Sequence, residues 1–289
     1  MHTLIEDIVS VLSTSGSLFI VSAGLTLVFG AMRLINVAHG SFYMLGAFVM
    51  TTAVGASTGA RFWVALVVAA LVVAALGGAL EVTVMRRIYA KEHLTQLLAT
   101  FALTLVIADL AVRIWGSGSR LVTAPTAVGG AATVSGASFP EYDFVIVLAA
   151  IAVGLGLWLL LQRTSLGWRI RAAVEDPELL ACSGTNLSLL RTGTFMLGAA
   201  LAGFGGALVT PQVAAAPGMD TAIIVSAFIV TVIGGLGSIP GAALGALIIG
   251  VAQTLGTSLA PSWASTSIYL TMIIVLAVRP SGLLGAVER

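Results

Sequence analysis

The chain has 289 residues, of which 58% are hydrophobic and 9% charged, with a net charge of +1. Soluble domains carry roughly 25% charged residues, so this composition, with a mean hydropathy of +1.09, excludes a soluble globular domain and predicts an all-α polytopic membrane protein. Cys182 is the only cysteine, which leaves no partner for a disulfide within the chain and no thiolate cluster for a metal. The few basic residues lie between apolar runs and form no basic domain for nucleic acid.

The opening stretch MHTLIEDIVSVL carries Glu6 and Asp7 where a secretory leader carries basic residues, so it is predicted to be retained. Apolar runs bounded by charges or Gly/Pro clusters fall at about 8–30, 41–54, 62–85, 94–114, 144–161, 193–209, 222–236, 242–259 and 266–278. A membrane-spanning helix needs about 20 residues. The 41–54 run is therefore expected to be re-entrant, broken, or extended by its neighbours. Reading 222–259 as one re-entrant hairpin removes two crossings and keeps the parity, so 8–9 membrane elements are expected.

Between the first two runs stands MRLINVAHGSFYMLG, residues 32–46. Arg33 reads as a positive-inside anchor, Asn36 and His39 as hydrogen-bonding groups for backbone freed at a helix break, and Gly40 and Gly46 as sites of close packing. For His39 an internal hydrogen bond is expected ahead of titration or contact with solute. With no acidic partner beside His39 and Ser41, nucleophilic catalysis has no support and no catalytic residue is expected.

Lys and Arg in short loops favour the cytoplasm. Arg33, Arg86, Arg87, Lys91, Arg163, Arg169, Arg171, Arg191, Arg279 and Arg289 fall on one side of a nine-crossing topology, and Arg61, Arg113 and Arg120 on the other, a split of 10 to 3. The N-terminus is thus expected outside and the C-terminus in the cytoplasm. The Gly/Ser/Thr/Pro-rich stretch 115–143 reads as an external loop or short hairpin. Within the runs, Asp109 and Arg113 are spaced to pair on one helical face, and Glu81 is placed to reach Arg86, Arg87 or headgroups. No carboxylate is evident near the midplane of a broken helix, where an ion-coupled carrier usually needs one. Energy for pumping would then come from elsewhere.

The longest charged segment, 162–192, is expected to hold a short cytoplasmic helix. Asp176 is a good N-cap, Pro177 suits the first helical position, Glu178 favours the positive end of the dipole, and Gly184 is placed for a left-handed cap. A free two-turn helix is marginal in water, so Leu179, Leu180 and Cys182 are expected to dock on the membrane region or on a partner. Further on, Gly237/Gly241/Gly245, Ala199/Gly203 and Ala202/Gly206 show small-xxx-small spacing, read as plain helix contact. The GGLGSIPG block, with Gly234, Gly235, Gly237 and Ser238, shares with 33–41 a pattern of apolar run, polar break and short apolar run; paired interruptions of this kind often line a transport path.

GLTLVFGAMRLINVAHGSFYMLGA at 24–47, GWRIRAAVEDPELLACSGTNLSLLRTGTFMLGAALAGFGGAL at 167–208, VIGGLGSIPGAALGALIIGVAQ at 232–253 and RPSGLLG at 279–285 together resemble the inner-membrane permeases of branched-chain amino acid ABC importers, of LivH type. The resemblance covers nearly the whole chain as one permease domain, 1–289. It implies half of a translocation pore in a bacterial inner membrane, partnered by a LivM-type permease or a second copy, two cytoplasmic ATPases of LivG and LivF type, and an external solute-binding protein. It also implies that Glu175, Asp176, Pro177, Glu178, Leu179, Leu180 and Gly184 form the helix that couples to the ATPase. The chain has no GxxxxGK[ST] motif, so ATP is expected on the partners and no cofactor on this chain. Ser183-Gly184-Thr185-Asn186 stands where Leu-Gly-Ile-Asn is common, and Ser41 where an acidic residue often follows AHG. Branched-chain or related hydrophobic amino acids are the expected solutes, with urea or short amides as the alternative within the family and an autonomous channel or secondary carrier outside it.

Overall fold

The computed structural model describes residues 2–55, 59–134, 137–259 and 261–285; Arg289 lies outside the described residues. Its helices are α1 (His2–Met32), α2 (His39–Val54), α3 (Ala60–Leu80), α4 (Arg86–Ile88), α5 (His93–Trp115), α6 (Tyr142–Arg163), α7 (Ser165–Glu175), α8 (Pro177–Cys182), α9 (Leu187–Val209), α10 (Met219–Gly234), α11 (Ile239–Leu259) and α12 (Ala264–Val278). A π-helical turn, Glu81–Met85, joins α3 to α4. Each apolar run thus forms a helix, and 6 helical stretches are long and apolar enough to cross a membrane. Strands occur among the described residues only in the 115–143 loop, where β1 (Ala131–Val134) pairs antiparallel with β2 (Ala137–Pro140). The loop therefore contains a short antiparallel strand pair.

Large apolar side chains such as Leu71, Leu105, Ile114 and Leu148 point outward, while Ser22, Thr26, Asn36, His39, Ser41, Asp220 and Thr231 are buried. Water would penalise that distribution. Lipid tails solvate the apolar outside, and the polar groups are left to find partners within the protein.

Helices α1 and α9 cross antiparallel: Ala31 and Met32 lie beside Leu190, Arg191 and Thr194, Gly24 packs on the Gly198 carbonyl, and Val21 packs on Gly205. Around this pair the contacts repeat. α1 packs on α11 as α9 does on α3, α2 on α9 as α10 on α1, α2 on α3 as α10 on α11, and α2 on α5 as α10 on α12. The segments α1–α5 and α9–α12 are thus two copies of one arrangement, inverted relative to each other, with α6–α8 between them.

Following the chain through these contacts places the ends of α1, α4, α6 and α12 at one end of the molecule together with α7, α8 and the α10–α11 turn. Arg33, Arg86, Arg87, Lys91, Arg163, Arg169, Arg171, Arg191 and Arg279 gather at this basic end, and Arg61, Arg113 and Arg120 at the other. The start of α1 and the end of α12 lie at opposite ends of the described residues.

Small residues set the helix spacing. A side chain on Gly46 would run into the Gly203 backbone, and one on Gly206 into the Tyr43 carbonyl. The small-xxx-small stretches of α9 and α11 make helix contacts, as their spacing implies.

Candidate translocation and coupling sites

Helix α1 ends at the basic end, where Arg33, at φ 50°, donates its N–H to the Phe29 carbonyl at 2.8 Å. The chain then turns back through non-helical residues 33–38 before α2 begins. His39, the first residue of α2, donates from Nε2 to the Val21 carbonyl at 3.0 Å. Val21 lies 11 residues before Met32, about 16 Å along α1 at 1.5 Å per residue. Helix α2 therefore starts deep inside the protein. The short 41–54 run is a half-helix completed by the returning segment, which is the broken and extended form of the sequence expectation.

Thr100 on α5 satisfies the freed backbone: its Oγ1 accepts from Val37 N at 3.3 Å and is 3.4 Å from the Ile35 carbonyl. Asn36 does not fill that role. It is 1% exposed, and neither of its side-chain polar atoms makes a hydrogen bond. His39 does make the internal bond expected of it.

The second repeat has the same break. After α9, residues 210–218 return inward, with Ala215 bridged to Arg120, and α10 begins against the start of α2. Gly40 packs on the Asp220 carbonyl, where any side chain would collide. Ser41 Oγ lies 3.4 Å from Asp220 Oδ2 as donor. Asp220 is 3% exposed and sits in the first turn of α10. Two helix N-termini, each with partial positive charge, thus converge on one carboxylate.

Asp220 corrects the expectation that no carboxylate stands at a broken helix. It precedes the apolar run at 222–236 and reads locally as a loop residue; only the fold carries it to the depth of Ser41. The acidic side chain that position 41 lacks is supplied here by α10.

Gly234, Gly235, Gly237 and Ser238 lie elsewhere. They form the turn between α10 and α11 at the basic end, with Gly237 against Gly30. Ser238 Oγ accepts from Gly241 N at 3.1 Å. Leu283 and Leu284, of the RPSGLLG block, donate backbone N–H groups to the Ile233 and Gly234 carbonyls at 2.8 and 3.0 Å. The structural counterpart of 33–41 is consequently 210–220, not GGLGSIPG. A cavity of about 360 Å³ joins Gly237 and Ser238 to Arg171 and Glu175 of α7, so the turn shares a surface with the charged loop.

In that loop, Asp176 Oδ1 accepts from Glu178 N at 3.1 Å and Leu179 N at 2.9 Å, with Pro177 at the first helical position. Gly184 follows at φ 83°, a left-handed conformation that glycine adopts without steric cost. Leu180 is buried and α8 touches α7 and α9, but Leu179 is 69% exposed. Glu175, Glu178 and Cys182 are exposed as well.

Close by, Glu81 is fully buried and binds Arg86 Nη2 at 3.2 Å, the Tyr89 hydroxyl at 3.0 Å and Thr192 Oγ1 at 2.6 Å. These bonds clamp the end of α3 to the start of α9. Burial and the neighbouring Glu81 carboxylate push the Tyr89 hydroxyl far above its ordinary value. Asp109 and Arg113 pair at 2.7 Å on the exposed face of α5.

Residues 7–277 match the family described as "Branched-chain amino acid transport system / permease component". The chain is 28% identical to the high-affinity branched-chain amino acid transport system permease protein BraD of Pseudomonas aeruginosa, over 100% of this chain and 98% of that protein. It is 30% identical to the corresponding permease protein LivH of Escherichia coli K12, over 95% of this chain and 94% of the relative. The permease protein LivM of the same organism is 27% identical over 92% of this chain and 67% of its own length. No solved structure matches the chain. With this match across nearly its whole length and a fold of buried polar breaks inside an apolar shell, the chain belongs to the permease family of branched-chain amino acid ABC transporters.

Proposed function

We propose that the chain forms one half of the translocation path of an ATP-driven importer for branched-chain or related hydrophobic amino acids. The basic end faces the cytoplasm of a bacterial inner membrane, following the bias of Lys and Arg, with the N-terminus outside and the C-terminus inside. A LivM-type permease or a second copy supplies the other half. Two ATPases of LivG and LivF type bind and hydrolyse ATP, the chain itself holding no cofactor, and an external binding protein delivers the solute. The breaks at Asn36–Gly40 and Asp220 form the hinge between the inverted repeats, and the Gly234–Ser238 turn links it to the coupling loop.

The observation that carries this reading is α8. A capped helix of 6 residues projects at the basic end with Leu179 exposed and Glu175 and Glu178 beside it. Such a helix is marginal unless something covers it, and its charges set a register on a partner. The test is ATP-driven leucine uptake by the assembled transporter in proteoliposomes. Glu178→Lys and Gly184→Trp should each lower uptake about tenfold or more, equivalent to ~1.4 kcal/mol of lost coupling, with insertion and folding intact. Normal uptake by both variants would refute the coupling role. Leucine flux through the purified chain alone would refute the importer reading in favour of a carrier.

A further inference from the structure

We propose that Asp143 and the cavity beside it bind the ammonium group of the transported solute at the end of the molecule opposite the basic end. Asp143 lies in the first turn of α6 and is 6% exposed. Ser13 of α1 donates to its Oδ1 at 2.9 Å, and Gln212, just beyond α9, donates to the same oxygen. Gln212 also donates to Ser13 Oγ at 3.3 Å. Two separate parts of the chain therefore fix the carboxylate of a third, both through neutral donors and both on one oxygen. Oδ2 makes no hydrogen bond among the described residues, and the ion pairs among them, Glu81–Arg86 and Asp109–Arg113, leave Asp143 without a cation.

Neutral donors offset only part of the cost of burying a carboxylate. The triad is not sealed. A cavity of about 560 Å³ opens on it, within the ~300–1,000 Å³ of small-molecule sites. Its wall offers the hydroxyls of Ser10 and Thr14 and the apolar surfaces of Ala124, Val128 and Pro211, with no Lys or Arg among the described residues that line it. An ammonium carries three N–H donors and a positive charge. It suits Oδ2 together with hydroxyl oxygens, and a short aliphatic side chain suits the apolar wall. Urea and simple amides bring no charge to the carboxylate. The inference rests on the importer reading and narrows its solute to one bearing a protonated amine.

The test uses the full-length chain in the assembled transporter, in right-side-out membrane vesicles, with Ser10→Cys as a reporter at the cavity rim. Modification of residue 10 by a trimethylammonium methanethiosulfonate should be about tenfold faster than by the sulfonate reagent of similar size, as expected for a buried unit charge nearby. Asp143→Asn should abolish that preference. L-leucine and 3-methylbutylamine should protect residue 10, and 4-methylpentanoate, which lacks the amine, should not. Equal rates for the two reagents with Asp143 present, or equal protection by 4-methylpentanoate and leucine, would overturn the site. The protection arm needs no change at Asp143 and stands even where Asp143→Asn fails to fold. Asp143→Asn should also lower leucine uptake about tenfold at saturating external binding protein, through loss of a charge-assisted bond. An unchanged uptake rate overturns the ammonium site and leaves the importer reading standing. Charge preference and amine protection without any ATP-driven uptake would instead overturn the importer reading and leave the cation site.

Discussion

At the helix breaks, His39, Ser41 and Asp220 are buried to 3% exposure or less, and glycines bring backbone against backbone around them. At α8, a helix of 6 residues holds one leucine inward and turns the next one out, 69% exposed. The breaks are tight, polar and central; α8 is loosely attached, apolar at its tip and peripheral. In lipid, apolar exposure costs nothing and buried polar groups cost much, so stability is concentrated at the breaks. An exposed leucine beyond the membrane faces water, where covering it is favourable. The two regions should therefore respond differently to substitution.

The largest contrast is expected between Gly206→Leu and Leu179→Ala. A side chain at position 206 meets the Tyr43 carbonyl, and neither α2 nor α9 has room to yield. Overpacking typically costs ~1–3 kcal/mol, and a clash with backbone falls at the upper end of that range, so folded, monodisperse protein should be lost in size-exclusion chromatography. Leu179→Ala should change unfolding by less than about 0.5 kcal/mol. Equal damage from both would mean that α8 is part of the core.

Asp220→Ala is next. It removes the carboxylate shared by two helix N-termini, and a charge at one such terminus contributes up to ~2 kcal/mol when partly buried. Thermal unfolding should show a loss of about 2 kcal/mol, with Asp220→Asn recovering part of it. A stabilised variant would show that desolvation of Asp220 outweighs those dipoles, and that the acid is kept for transport instead.

The same comparison explains what could be read from the chain. Asp176, Pro177, Glu178 and Gly184 lie within one helix and its caps, so their roles follow from local chemistry and the structure forms the expected helix. The break near His39 was also legible, because a 14-residue run cannot span by itself. Its partner was not. Asp220 is separated from Ser41 by 179 positions, and nothing in the residues around it distinguishes a buried acid from a loop acid until the inverted repeat is assembled. Thr100 and Asp143 were obscured for the same reason: each acts on segments distant in sequence. GGLGSIPG, read as the matching break, has the composition of one, but its glycines serve a hairpin turn and the close approach of Gly30.

Asp176→Ala tests the peripheral side at smaller scale. Losing an N-cap costs about 1 kcal/mol, and here the loss should stay local. Amide exchange at Glu178 and Leu179 should quicken about fivefold while the global unfolding temperature holds. A fall in the global value would show that α8 supports the packing of α7 against α9.

The smallest effect is expected for Ser41→Ala. Its hydroxyl lies 3.4 Å from Asp220, near the limit for a hydrogen bond, and such a bond contributes about 0.5 kcal/mol. If Ser41→Ala is nearly neutral while Asp220→Ala is costly, the helix termini hold the carboxylate and the serine merely accompanies it. If the two variants cost the same and the double variant adds nothing, the hydroxyl is the chief partner of Asp220. The double-variant cycle therefore decides whether the two half-helices are joined by their dipoles through Asp220 or by one side-chain bond.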